Sequence, residues 1–359
     1  DASAVTSFGV TFDASAETDG GKLNFTGGNL ADTITGGTAA DTLDGVGGGD
    51  VYRLSATASH FVSGESIADS GASNDGSDVL ANLSAGAINL SIGTVSGIEI
   101  LQFFGSGTGN QYTMTAAQMG SFNAFTNLGG TNDQLILAAA GTVDFIGKTL
   151  TGLESITGSA GNDTITGSAD DDDITGGAGA DTLTGGLGAD IFTMTSPATK
   201  DTITDFNGAT GGQNDVFEFD LSDFGGALLT TGSSGDDAVA IAAGATMSFQ
   251  TVSDINLGSP LNATVGNELL LFTDPNANSA SAIQAAIQNV SAGLITLSSA
   301  LEPGGLFLAA YDTGSITRLA TITMGNNGDT SNATVSDIAD LTGITDVTTL
   351  DVADFSFIA

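Results

Sequence analysis

The sequence predicts an all-β fold of short stacked strands, on three observations. Nine-residue units follow one another in register from Gly158: GSAGNDTIT, GSADDDDIT, GGAGADTLT and GGLGADIFT. The sixth place of each unit is an aspartate (Asp163, Asp172, Asp181, Asp190), and the eighth is a large apolar residue (Ile165, Ile174, Leu183, Phe192). The acidity is carried by 35 Asp against 7 Glu. Asp favours turns and metal loops, where Glu favours helices.

A second block runs from Gly27 to Arg53 as GGNLADTIT, GGTAADTLD and GVGGGDVYR, with Asp32, Asp41 and Asp50 sixth and Ile34, Leu43 and Tyr52 eighth. The nine residues before it, TDGGKLNFT, keep Phe25 at the apolar place but have Leu23 in place of Asp, which reads as a cap without metal. In each unit the D-x-apolar-x piece is a strand with one inward side chain. The residues before it must reverse the chain, and glycine reaches positive φ at low steric cost. Turn, strand, turn, strand is one coil of a flattened right-handed helix. Stacked coils bury the apolar column and bring glycine carbonyls and aspartate carboxylates together along each edge. Flexible oxygen-only sites suit Ca²⁺; Mg²⁺ demands stricter octahedra and zinc prefers His or Cys. The candidate ligands are Asp163, Asp172, Asp181 and Asp190 with Gly161, Gly176, Gly179, Gly185 and Gly188 in one block, and Asp32, Asp41 and Asp50 with Gly27, Gly36 and Gly48 in the other.

These G-G-x-G-x-D-x-apolar-x units resemble the repeats-in-toxin (RTX) proteins, whose nonapeptides form a calcium-bound parallel β-roll. The resemblance covers about 65 residues as strict repeats. It implies several Ca²⁺ ions, each shared between one turn and the turn eighteen residues on, so that Asp163 pairs with Asp181, Asp172 with Asp190 and Asp32 with Asp50. The chain departs from the family pattern at Leu30, Ala39 and Asp170 in the fourth place and at Val46, Ser159 and Ser168 in the second. Those departures weaken the positive-φ turns expected there. After the second block, KDTITDF is similar to the segment that closes the roll in this family. Asp201 and Asp205 then supply the last ligands, or they face water while Ile203 and Phe206 cap the core.

Outside the blocks the signals are plainer. TVSGIEIL (94–101) and TLTGLESI (149–156) each read as a turn and a strand, which suggests two related units. Residues 87–104 and 135–156 suggest short strands, and TMTAAQMGSF (113–122) one short helix with Met114 and Met119 in a core. Residues 207–359 read as a β-sandwich or an irregular continuation of the sheet, with one amphipathic helix at 279–290 presenting Ile283, Ile287 and Val290 on one face. The expected divisions are 1–150, a β-rich unit with the short block; 151–206, the second block and its closing segment; and 207–359, a C-terminal β-rich region.

Charge and composition exclude several classes of function. Five basic residues stand against 42 acidic ones, a net charge of −37. Nucleic acid needs Lys and Arg on its phosphates, and anionic membrane surfaces repel such a chain. No apolar run is long enough to insert in a bilayer. There is no cysteine, and the one histidine, His60, has no partner motif and reads as an ordinary strand or surface residue. Without a catalytic constellation the chain is read as not an enzyme. The opening DASAVTSFGVTF has neither the basic nor the apolar region of a signal peptide, so the chain is read as the C-terminal part of a longer protein or a processed product. The end, LDVADFSFIA, resembles the uncleaved signal of proteins exported by type I secretion ABC transporters, and it also reads as an ordinary last strand.

The resemblance implies a secreted protein that stays unfolded in calcium-poor cytosol and folds on calcium outside. Composition rich in Thr, Ala, Gly, Ser and Asn looks like bacterial surface-layer (S-layer) proteins or large adhesins. The expected function is a calcium-dependent structural protein that self-assembles at the cell surface, as a homo-oligomer or lattice, with a cell-surface polysaccharide as a candidate anchor. The alternatives are the folding and secretion tail of a secreted enzyme, or an adhesin binding glycan or protein.

Overall fold

The computed structural model describes residues 8–17, 19–54, 61–71, 76–103, 109–127, 132–153, 155–195, 198–208, 213–220, 229–230, 239–240, 247–252, 267–273, 276–288, 306–323 and 334–358. His60 and Val290 lie outside them. The chain divides into two compact units, residues 1–159 with 166–169, and residues 160–165 with 170–359. Most of the second repeat block and the strands of the C-terminal region thus share a unit.

The described strand pairs within the first unit are parallel. Strands Thr11–Asp13, Thr33–Thr35, Val51–Leu54, Val79–Asn82, Ile100–Phe103, Ala124–Asn127 and Thr149–Thr151 form one seven-stranded sheet in that order. Asn24–Thr26, Thr42–Asp44, Ser66–Ala68 and Thr94–Ser96 form a four-stranded sheet. Ala87–Asn89, Gln111–Met114, Gln134–Leu137 and Ser155–Thr157 stack in a third ladder. Register places like on like: Ile34, Tyr52, Leu80, Leu101, Phe125 and Leu150 make one buried column, and Phe25, Leu43, Ile67 and Val95 another. Within the block the partners Ile34 and Tyr52 are eighteen residues apart, but the next steps to Leu80, Leu101, Phe125 and Leu150 are 28, 21, 24 and 25. The coil persists where the repeat does not, because a buried apolar residue on a three- or four-residue strand suffices to hold register.

Tyr52 is the one eighth-place residue of the repeats with a polar group. Its hydroxyl donates to the Ala68 carbonyl at 2.5 Å and accepts from the Gly45 amide at 2.7 Å, so the buried phenol has partners. The short helix forms at Ala116–Ser121, with Thr115 and Gln118 as a reciprocal capping box and Met114 and Met119 fully buried. TVSGIEIL and TLTGLESI both resolve into strand, positive-φ glycine and strand: Gly97 (φ 74°) and Gly152 (φ 67°) turn the chain from one sheet to the next.

The second unit repeats the architecture. Ile174, Phe192, Phe217 and Phe355 form a column on the parallel strands Asp173–Thr175, Ile191–Met194, Val216–Asp220 and Phe355–Ile358. Leu183, Ile203 and Leu341 form another on Thr182–Thr184, Asp201–Ile203 and Thr334–Leu341. Of the two readings of residues 207–359, the described strands follow the second: they extend the roll's own sheet. Thr317–Thr323 adds antiparallel to Thr334–Leu341, Leu306–Asp312 antiparallel to Thr317–Thr323, and Asn267–Phe272 and Met247–Val252 then add in parallel. The helix spans Ala280–Gln288, with Ile283 buried. Phe206 stacks on Phe217 at 4.0 Å between ring centres, closing the core beside Phe192 and Phe355.

Candidate metal centre

The sixth-place aspartates do not point at water. Asp32, Asp41, Asp50, Asp163, Asp181 and Asp190 are each at most 2% exposed, and Asp172 is 8% exposed. Each coil's carboxylate reaches back to the coil before. Asp181 Oδ1 accepts from the Asp163 amide at 2.7 Å, Asp190 Oδ1 from the Asp172 amide at 3.0 Å, and Asp50 Oδ1 from the Asp32 amide at 2.7 Å. The three pairs eighteen residues apart are therefore neighbours. The other oxygen folds into its own loop, where Asp32 Oδ2 accepts from the Gly28 amide and Asp41 Oδ2 from the Gly37 amide.

Glycine in the first place makes room for that fold. A Cβ on Gly176 would sit 2.5 Å from Asp181 Oδ2, and one on Gly36 would sit 2.8 Å from Asp41 Oδ2; Gly27 and Gly185 face Asp32 and Asp190 in the same way. The fourth place is where neighbouring loops touch: a Cβ on Gly179 would lie 2.7 Å from the Gly161 carbonyl oxygen, and one on Gly188 2.6 Å from that of Asp170. Gly48 packs on the backbone of Leu30 and Ala31. The stacking thus lines carbonyl oxygens along the same edge as the carboxylates.

The turns differ as the departures predict. Loops 176–181 and 185–190 carry positive φ at both the second and fourth places (Gly177 95°, Gly179 133°, Gly186 108°, Gly188 128°). The loops holding Leu30, Ala39, Ser159 and Ser168 carry none. Val46 is the exception, held at φ 78° in the second place although it is β-branched.

Asp201 and Asp205 both bond backbone amides of the roll rather than simply facing water. Ile203 and Phe206 are core. Asp201 is buried, and its Oδ1 accepts from the Asp181 amide at 3.0 Å, continuing the column. Asp205 accepts from the Gly185 and Gly186 amides, both at 2.9 Å, and so anchors the last loop through both oxygens.

The ladder also uses residues outside the repeats. Glu65 Oε2 accepts from the Asp41 amide, Asp78 Oδ1 from Asp50, Glu99 Oε2 from Asp78, Asp133 Oδ1 from Asn110, and Asp215 Oδ1 from Asp190. Their common signal is an acidic residue two places before a buried apolar one, as in Glu65-Ser66-Ile67, Asp78-Val79-Leu80, Asp133-Gln134-Leu135 and Asp215-Val216-Phe217. The nine-residue beat hides it, because these triplets recur at irregular spacing.

Electrostatically, the edges are carboxylates buried side by side. Burial first, then Asp215, Asp172 and Asp205, push Asp190 up to about 7. Burial and Asp181 push Asp201 to about 7. Burial and Asp163 raise Asp181, whose Oδ2 is buried with no hydrogen-bond partner. Such groups seek a proton or a cation. Among the described residues no three His, Cys, Asp or Glu side chains form a metal-holding group. A cation here must draw on backbone carbonyls as well as carboxylates. That donor set, hard oxygen throughout, fits Ca²⁺.

Comparison with known proteins agrees. A family model described as the RTX calcium-binding nonapeptide repeat (4 copies) matches residues 26–55 and 154–192. Neither the curated proteins nor the solved structures gave a match. The stacked coils, the buried carboxylate edges and the matched repeats show that this chain carries RTX calcium-binding repeats in both blocks, which bind several Ca²⁺ ions.

Proposed function

We propose that the protein is an extracellular, calcium-dependent structural protein of S-layer type, exported unfolded by a type I ABC transporter and folded by Ca²⁺ outside. Asp163, Asp172, Asp181, Asp190, Asp32, Asp41, Asp50 and Asp201 are its carboxylate ligands, with loop carbonyls beside them and Asp205 as the anchor of the last loop. The observation that supports this reading is the placement of carboxylates along the ladders of both units, from Asp32 to Asp215. Calcium is then part of the scaffold itself. A chain of net charge −37 resists association with its own copies until divalent cations bridge its acidic surfaces. Electron microscopy of the purified protein with and without millimolar calcium tests the reading. Ordered sheets that appear only with calcium support it; a monodisperse monomer at high protein and calcium concentration removes the lattice and leaves the adhesin or the enzyme tail.

A further inference from the structure

We propose that Asp41 and Glu65 together hold a calcium ion, in a site that joins a nonapeptide repeat to a coil outside the repeats. The inference rests on the calcium reading above. Asp41 lacks an acidic residue eighteen positions on, where the sequence has Ser59, as Asp50 does, where it has Ala68. The coil supplies a substitute from further away. Strand Thr42–Asp44 pairs in parallel with Ser66–Ala68, twenty-four residues on, with Leu43 opposite Ile67. Glu65 thereby takes the sixth place of the next coil, and Ile67 the eighth.

Its geometry reproduces that of Asp181. Asp181 bonds the Asp163 amide with one oxygen and buries the other without a partner. Glu65 bonds the Asp41 amide through Oε2 at 3.0 Å, and its Oε1 is buried without a partner. The side chain is 2% exposed and directed into the 36–41 loop. Asp41 Oδ1 accepts from the Leu23 amide at 2.9 Å and Oδ2 from the Gly37 amide at 2.8 Å, so that carboxylate is fixed at the same edge. A buried, unpartnered carboxylate oxygen beside a second carboxylate is costly unless a cation joins them. The extra methylene of Glu lets an irregular loop reach a position that Asp reaches from a nonapeptide.

Calcium counting by equilibrium dialysis on the whole chain tests this. Glu65→Gln keeps an amide oxygen for the Asp41 amide but removes the charge. It is expected to bind one ion fewer than wild type, with the remaining affinities unchanged. Asp41→Asn and the double variant should lose that same single ion; losses that add to two place the residues in different sites and overturn the proposal. A Glu65→Gln count equal to wild type overturns it alone, whereas a wild-type chain that binds no calcium overturns the functional reading as well. Should Glu65→Gln fail to fold, Glu65→Asp keeps the charge one methylene back. One site weakened ten-fold or more in that variant supports the pair, and wild-type affinity at every site overturns it.

Discussion

At the scale of the residue, the roll asks for three things: an apolar side chain inward, a carboxylate at the edge, and backbone freedom in the bend. The apolar column is close-packed, and Ile174, Leu183 and Ile165 are fully buried. Leu183→Ala should therefore cost about 2–5 kcal/mol, transfer plus cavity, measured as a lowered denaturation midpoint in saturating calcium. Val46 poses the opposite case. A β-branched residue at φ 78° carries strain of about 1–3 kcal/mol. Its side chain is only half buried, so Val46→Gly should remove more strain than packing, less the extra backbone entropy of glycine. A net gain of about 1 kcal/mol, seen as a melting temperature raised by a few degrees, is the expected result; a loss would mean that the bend is held at positive φ at no cost. The aspartates were legible in the sequence because four units in register repeat them. Val46 was legible as a departure, but not as the departure that keeps the turn, since that depends on Gly48 packing against Leu30 and Ala31.

At the scale of the element, the strands are too short to be stable alone, and what each leans on decides its role. The closing strand Asp201–Ile203 pairs with Thr334–Leu341, more than 130 residues on. Lys200 Nζ bonds Asp340 Oδ2 at 2.5 Å, Arg318 Nε bonds Asp340 Oδ1 at 2.6 Å, and Tyr311 donates to Asp337 Oδ1 at 2.5 Å. Two of the chain's five basic residues thus converge on one carboxylate. Asp340→Ala should cost about 1–3 kcal/mol, in the range of hydrogen bonds to charged groups, and should act even where calcium is saturating. Equal thermal melts for variant and wild type would show the cluster to be ornamental. None of this pairing was legible, because a local pattern says nothing about a partner so far along the chain. The strands between the blocks were legible, but their place as coils of the same roll was not, for a related reason. Their loops vary from coil to coil, so only the acidic-x-apolar triplet survives, and Asp133-Gln134-Leu135 has no nine-residue neighbour to announce it.

At the scale of the whole molecule, protons and calcium compete for the same buried carboxylates. In the metal-free protein, Glu65, Asp78, Asp190 and Asp201 are each pushed up to about 7, in every case first by burial. Unfolded, such groups titrate near about 4. A carboxylate raised in the fold takes up its proton there first, so its contribution to stability is fully present below about pH 4 and is lost as pH rises through about 7. Metal-stripped protein should accordingly hold more β structure at pH 5 than at pH 8. Added calcium removes the penalty by replacing the proton, and stabilises the fold by an amount that grows with the logarithm of its concentration. Circular dichroism melts at the two pH values, with and without millimolar calcium, should show a large calcium effect at pH 8 and a smaller one at pH 5. A calcium effect of the same size at both would mean that the ion binds elsewhere than on these carboxylate edges. Identical spectra with calcium and with EGTA at pH 8 would sever folding from the metal, and with it the account of export before folding.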